Sequence, residues 1–116
     1  MSNRKSITGT FAVGQSETEV IQLNDMNLLG IVITGSYLTG TKMTFLGSED
    51  GTNFYSVYDD TATEVSLTLA SASRCHSILP QNFLPWHFIK GRLGTAASAV
   101  LQTTQPQPVK FICEDL

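Results

Sequence analysis

The apolar residues of this chain recur at every second position, in short runs broken by turn residues, and no stretch carries a helical stripe. Successive side chains of an extended strand point to opposite faces, so a period of two makes a segment with one greasy and one wet side. Residues 7–13 set Ile7, Gly9, Phe11 and Val13 against Thr8, Thr10 and Ala12. Lys42 to Ser48 places Met43 and Phe45 together, Val65, Leu67 and Leu69 alternate with Ser66 and Thr68, and Val109, Phe111 and Cys113 form the last such run. Glu19 to Leu23, Asn53 to Tyr58, His76 to Leu79, Trp86 to Leu93 and Ala99 to Thr103 read as further strands. Leu28 to Thr34 is apolar on both faces and reads as the central, best-buried strand. The best helix-like window, Ala70 to Arg74, has room for a single turn.

The breaks between runs carry turn chemistry. Asp50-Gly51 between alternating runs is the clearest hairpin signal, because a tight turn there needs a residue at positive φ. Pro80 to Pro85 is a loop bracketed by prolines, which lack the N–H a sheet interior requires, and Gln105 to Pro108 is a stiff link. Many short strands with frequent turns predict an all-β fold: an antiparallel β-sandwich, jelly-roll-like, of about eight strands with little or no helix. The 116 residues fit one domain, 1–116, with a short polar N-terminal arm (1–6) and a C-terminal tail (114–116). A domain of this size buries roughly two-thirds of its unfolded surface, so folding requires neither a disulfide nor a metal.

Charged residues make up only 15% of the chain, with Thr, Ser, Gly and Gln in their place. A typical domain has about 25%, and a charge-poor polar surface suits lasting contact with other proteins. The net charge is −3 and the seven Lys and Arg form no basic stripe, which argues against nucleic-acid binding. No apolar run approaches the roughly 20 residues of a membrane span. Met1 to Ser6 has no hydrophobic region, so no signal peptide is expected and the chain is expected to be made and kept in a cytoplasm. In that setting Cys75 and Cys113 are expected as reduced, partly buried thiols, with a disulfide between them as the alternative.

Catalytic patterns are missing. His76 follows Cys75 directly, so in a strand the two point to opposite faces and form no dyad. His87, between Trp86 and Phe88, reads as a packed or edge histidine, and there is no Gly-x-Ser-x-Gly elbow. Zinc spacing is absent, and no cofactor is expected. Glu49, Asp50, Asp59, Asp60 and Glu64 read as solvated turn carboxylates, with a calcium site as the alternative. Among the aromatics, Phe45, Phe54, Phe88 and Phe111 are expected in the core. Tyr37, Phe54, Tyr55, Tyr58, Phe83 and Trp86 could include a sugar-stacking platform, and Tyr37 and Phe83, both in loops, are candidates for contact with a partner.

Two segments, Met43-Thr-Phe-Leu-Gly-Ser-Glu-Asp-Gly-Thr-Asn-Phe-Tyr-Ser-Val-Tyr-Asp-Asp60 and Phe88-Ile-Lys-Gly-Arg-Leu-Gly-Thr95, resemble a group of small bacteriophage virion proteins. The S-x-D-G-aromatic hairpin also recurs in jelly-roll carbohydrate-binding and discoidin-like modules, and the continuation into Val57-Tyr-Asp-Asp60 narrows it toward the phage group. Leu93 stands where that group often has Ser or a second Arg.

The resemblance implies a non-enzymatic structural role. It points to a head decoration (cement) protein that clamps the major capsid protein, or binds another virion protein, as a trimer or dimer. The expected location is the outer surface of the head, after synthesis in the host cytoplasm, without direct contact to nucleic acid or membrane. A carbohydrate- or receptor-binding module of a collar, tail or fibre is the alternative. Candidate partner contacts are Arg4, Lys5, Tyr37, Asp50, Asn53 and Phe83. The polar arm, Met1 to Ser6, is expected either to add a strand to a neighbour's sheet edge or to fray.

Overall fold

The computed structural model describes residues 4–70 and 72–115, and these form two packed antiparallel sheets. The strands are β1 (Arg4–Phe11), β2 (Ile21–Gln22), β3 (Met26–Ile33), β4 (Lys42–Ser48), β5 (Tyr55–Ser56), β6 (Ser66–Thr68), β7 (Arg74–Ser77), β8 (Phe88–Leu93) and β9 (Gln107–Asp115). One sheet runs β1-β9-β3-β7; the other runs β2-β8-β4-β5, with β6 also on β4. β5 pairs with Leu46 and Gly47 while β6 pairs with Lys42 to Thr44, so the two are fragments of one edge strand split by a turn. Counted that way the sheets have four strand positions each. Neighbours along the chain fall mostly in opposite sheets, which is the double-sheet arrangement of a jelly roll. Among the described residues no helix is long and apolar enough to cross a membrane.

β9 shows why the sequence folds this way. Gln107, Val109, Phe111 and Cys113 are buried while Pro108 and Lys110 are exposed, as period two dictates. Its ladder to β3 ends at Val109, one residue short of Pro108, which has no N–H to offer. Phe11, Phe45, Phe83 and Phe111 are the largest side chains of the core between the sheets, and Phe83 meets Phe45 edge to face at 5.0 Å. Gly91 lets the sheets close: a Cβ there would lie 2.6 Å from the Met43 methyl.

Several expectations are corrected. Arg4 to Ser6 belong to β1, opposite Glu114 to Ile112, and Glu114 and Asp115 belong to β9, so neither segment is a free arm or tail. Met1 to Asn3 and Leu116 lie outside the described residues. The β1 alternation ends at Phe11, and Val13 is exposed in the turn beyond. β3 keeps Leu28, Ile31 and Ile33 inside only because a bulge between Leu28 and Gly30 resets its phase. The best-buried strand is β4, where Met43 through Ser48 are all buried, because loops and Arg92 cover its outer face. Phe54 and Phe88 are only half-buried, beside the hairpin. Ala99 to Thr103 forms no strand beyond a bridge from Ala99 to Gly94. Its buried Gln102 instead links loops, donating from Nε2 to the carbonyls of Tyr37 and Gln105 and accepting at Oε1 from the Thr39 N–H. The helical turn falls at Pro80–Asn82, and Arg74 enters β7.

Both cysteines are free thiols. Cys75 is exposed on β7, not partly buried as expected, while Cys113 is fully buried and its thiol is pushed up to about 11 by that burial.

Candidate functional site

The most site-like concavity lies where the β4–β5 hairpin meets the Pro80–Trp86 loop. It is a cleft of about 210 Å³ lined by Gly47 to Asp50, Asn53 and Tyr55 to Tyr58, with Trp86 as its other wall.

The hairpin wall is built by one carboxylate. Asp50 Oδ1 accepts from the N–H groups of Thr52 at 2.8 Å and Asn53 at 2.9 Å, and from the Ser48 hydroxyl at 2.9 Å; Oδ2 accepts from Asn53 Nδ2 at 2.9 Å. These donors, the Asn53 and Thr52 N–H groups foremost, hold the Asp50 carboxyl well below the usual carboxylate range. Gly51 takes the positive φ of 79° that the Asp-Gly pair foretold. The connection is longer than a two-residue turn, since β5 begins only at Tyr55.

The opposite wall rests on a small residue. A Cβ on Gly47 would lie 3.0 Å from Trp86 Cγ, so glycine there lets the indole lie down on β4. Trp86 Nε1 donates to the Asn82 carbonyl at 3.2 Å, which pins the ring to the 3-10 turn. Tyr55 is 72% and Tyr58 51% exposed, so two phenol rings stand at the rim beside a half-buried indole.

On the other face of β4 lies a charge network that sequence reading missed. Arg92 is 7% exposed and donates from Nε to the Thr44 hydroxyl at 3.0 Å and from one terminal nitrogen to Ser56 Oγ at 3.1 Å and Glu64 Oε2 at 2.6 Å. Glu64 also accepts from the Ala96 N–H, and Thr44 donates to the Gly94 carbonyl. Arg92 thus fastens β5 and the loop before β6 onto β4 and β8. The hint in the sequence was the alternation of Lys90 and Arg92 with Ile89, Gly91 and Leu93 along β8. Asp59 makes a separate turn, accepting from Thr61 and Thr63; the Thr61 hydroxyl contributes most to holding its carboxyl below the usual range.

Of the six candidate contacts, Asp50 and Asn53 come together at the cleft. Tyr37 is 44% exposed but lies in a different loop, tied to Gln102 and Gln107. Arg4 and Lys5 sit on β1, where they pair with Glu114 at 3.3 Å and Asp115 at 3.9 Å. Phe83 is corrected: at 1% exposure it is core, because the Pro80–Asn82 turn folds its ring inward against Phe45. Tyr55, Tyr58 and Trp86 are the members of the aromatic set that do converge. Among the described residues no group of three His, Cys, Asp or Glu is placed to hold a metal ion.

No protein-family model matches the sequence, and no curated protein matches it. The fold itself has a solved counterpart. The chain is similar to the SPBc2 prophage-derived protein YomS, known from a crystal structure, with a TM-score of 0.56 over 99% of this chain and 97% of that one, at 16% sequence identity.

Proposed function

We propose that this chain is a non-enzymatic structural protein of a bacteriophage virion, a decoration protein of the head that binds and clamps major capsid protein subunits. The observation that carries the reading is the end-to-end likeness of fold to a prophage-derived protein. The Ser48–Asn53 hairpin and the Phe88–Thr95 strand, where the sequence resembles phage virion proteins, support it. Both segments have structural work in this fold: Asp50 ties the hairpin, Gly91 lets the sheets close, and Arg92 fastens β5 and the loop before β6 onto β4. A clamp needs a rigid body with exposed loops, and the sandwich with its charge-poor surface suits that. Assembly as a trimer or dimer belongs to the proposal.

Mass spectrometry of purified particles tests it. The expected result is a large copy number, in fixed ratio to the major capsid protein, and absence from particles overturns it. The exposed Tyr55 and Tyr58 beside Trp86 favour a second reading, a receptor- or carbohydrate-binding module of a collar, tail or fibre. Cryo-electron microscopy that places the chain on the tail rather than the head would decide for it.

A further inference from the structure

We infer that the cleft between the Ser48–Asn53 turn and Trp86 receives an arginine side chain presented by a partner protein. The inference rests on the reading that the chain works by docking on other virion proteins.

Charge is the first argument. The polar lining residues are Glu49, Asp50, Ser48, Asn53 and Ser56, and among the described residues no Lys, Arg or His lines the cleft; Arg92, which reaches Ser56 Oγ at 3.1 Å, is already neutralised by Glu64 at 2.6 Å. The nearby Lys90 is committed elsewhere, to Glu17 at 3.3 Å and over the Phe54 ring at 4.6 Å. Glu49 is exposed, and among the described residues its carboxylate makes no ion pair. Asp50 remains ionised because its own loop donates to it. An anionic ligand would be repelled here.

Ring chemistry is the second argument. Tyr55, Tyr58 and Trp86 offer π-faces beside those carboxylates. A guanidinium is planar, stacks on aromatic faces and donates from its edge to a carboxylate, which no neutral group does as well. Size is the third. At about 210 Å³ the cleft falls below the roughly 300–1,000 Å³ of small-molecule pockets and suits one side chain. Position is the last: the cleft opens beside β5, an edge strand, where a neighbour's loop can reach it.

The chain has a single Trp, and it lines the cleft, so its fluorescence reports occupancy. The full chain is titrated with N-acetyl-arginine methylamide, with the uncharged N-acetyl-citrulline methylamide of the same shape, and with methyl glucoside. The expected result is saturable change with the arginine probe, at least about tenfold weaker binding of the citrulline probe, and weakening by added salt. Glu49→Gln and Tyr58→Ala should each weaken the arginine response while leaving the thermal melt unchanged. Equal binding of the arginine and citrulline probes, preference for the glucoside, or no response of Trp86 to the arginine probe overturns the inference. Should a variant misfold, the probe comparison on the unmodified chain still decides. Absence from particles would instead remove the virion reading, so the two fail separately.

Discussion

The two sheets treat their outer faces differently. In the β1-β9-β3-β7 sheet, the outward residues of β9 meet water, and its charges pair at the strand ends, Arg4 with Glu114 and Lys5 with Asp115, in the open. In the other sheet, β4 is covered on both sides, and its outer face is closed by Arg92 and Glu64, whose side chains are 8% and 16% exposed. Exposed ion pairs are screened and give little, whereas a desolvated one becomes expensive to break. One sheet is therefore a plain half-buried layer. The other carries a second, polar layer on the outer face of β4, opposite the face on which Trp86 lies against Gly47.

The contrast can be broken experimentally. The largest loss is expected where both sheets share one side chain: Phe111→Ala should cost about 3–5 kcal/mol in urea unfolding, through the cavity it leaves. Arg92→Ala should cost about 3 kcal/mol, because Glu64 and Thr44 lose their charged donor in a buried setting. The double variant Arg92→Met with Glu64→Leu should recover much of that loss, and strict additivity of the singles would show that the network does not act as a unit.

A smaller effect is expected in acid. The Asp50 and Asp59 carboxyls are depressed in the fold, so their contribution is present above the ordinary value of 3.8 and is lost as pH falls below it. Thermal melts should hold steady from neutral pH to about 4 and then decline, and Asp50→Asn should flatten that decline. The smallest change belongs to the open sheet end. Arg4→Ala should alter stability by about 0.5 kcal/mol or less, and a loss comparable to that of Arg92→Ala would erase the distinction between the sheets.

Strands read most easily where only one face is buried. β1 and β9 follow their alternation, and Asp50-Gly51 turns where turn chemistry says it should. Reading failed where burial comes from a distant segment. Phe83 looked like a loop contact because nothing nearby in sequence shows that Phe45 awaits it. Leu28 and Gly30 hide a bulge, since an extra residue leaves no mark in a run apolar on both faces. At the cleft, Asp50 and Asn53 were legible as turn residues, and the aromatics as a set too large to narrow.

By itself the sequence determined the strand period, the positions of the main turns and hence an all-β sandwich, because side-chain alternation and turn preferences are properties of a few adjacent residues. Only the tertiary structure decided that Arg92 would find Glu64, 28 residues away, and that Trp86 would lie across Gly47 to face Tyr55 and Tyr58. Those meetings depend on which strands become neighbours, and that follows from packing two faces into one core rather than from any local preference.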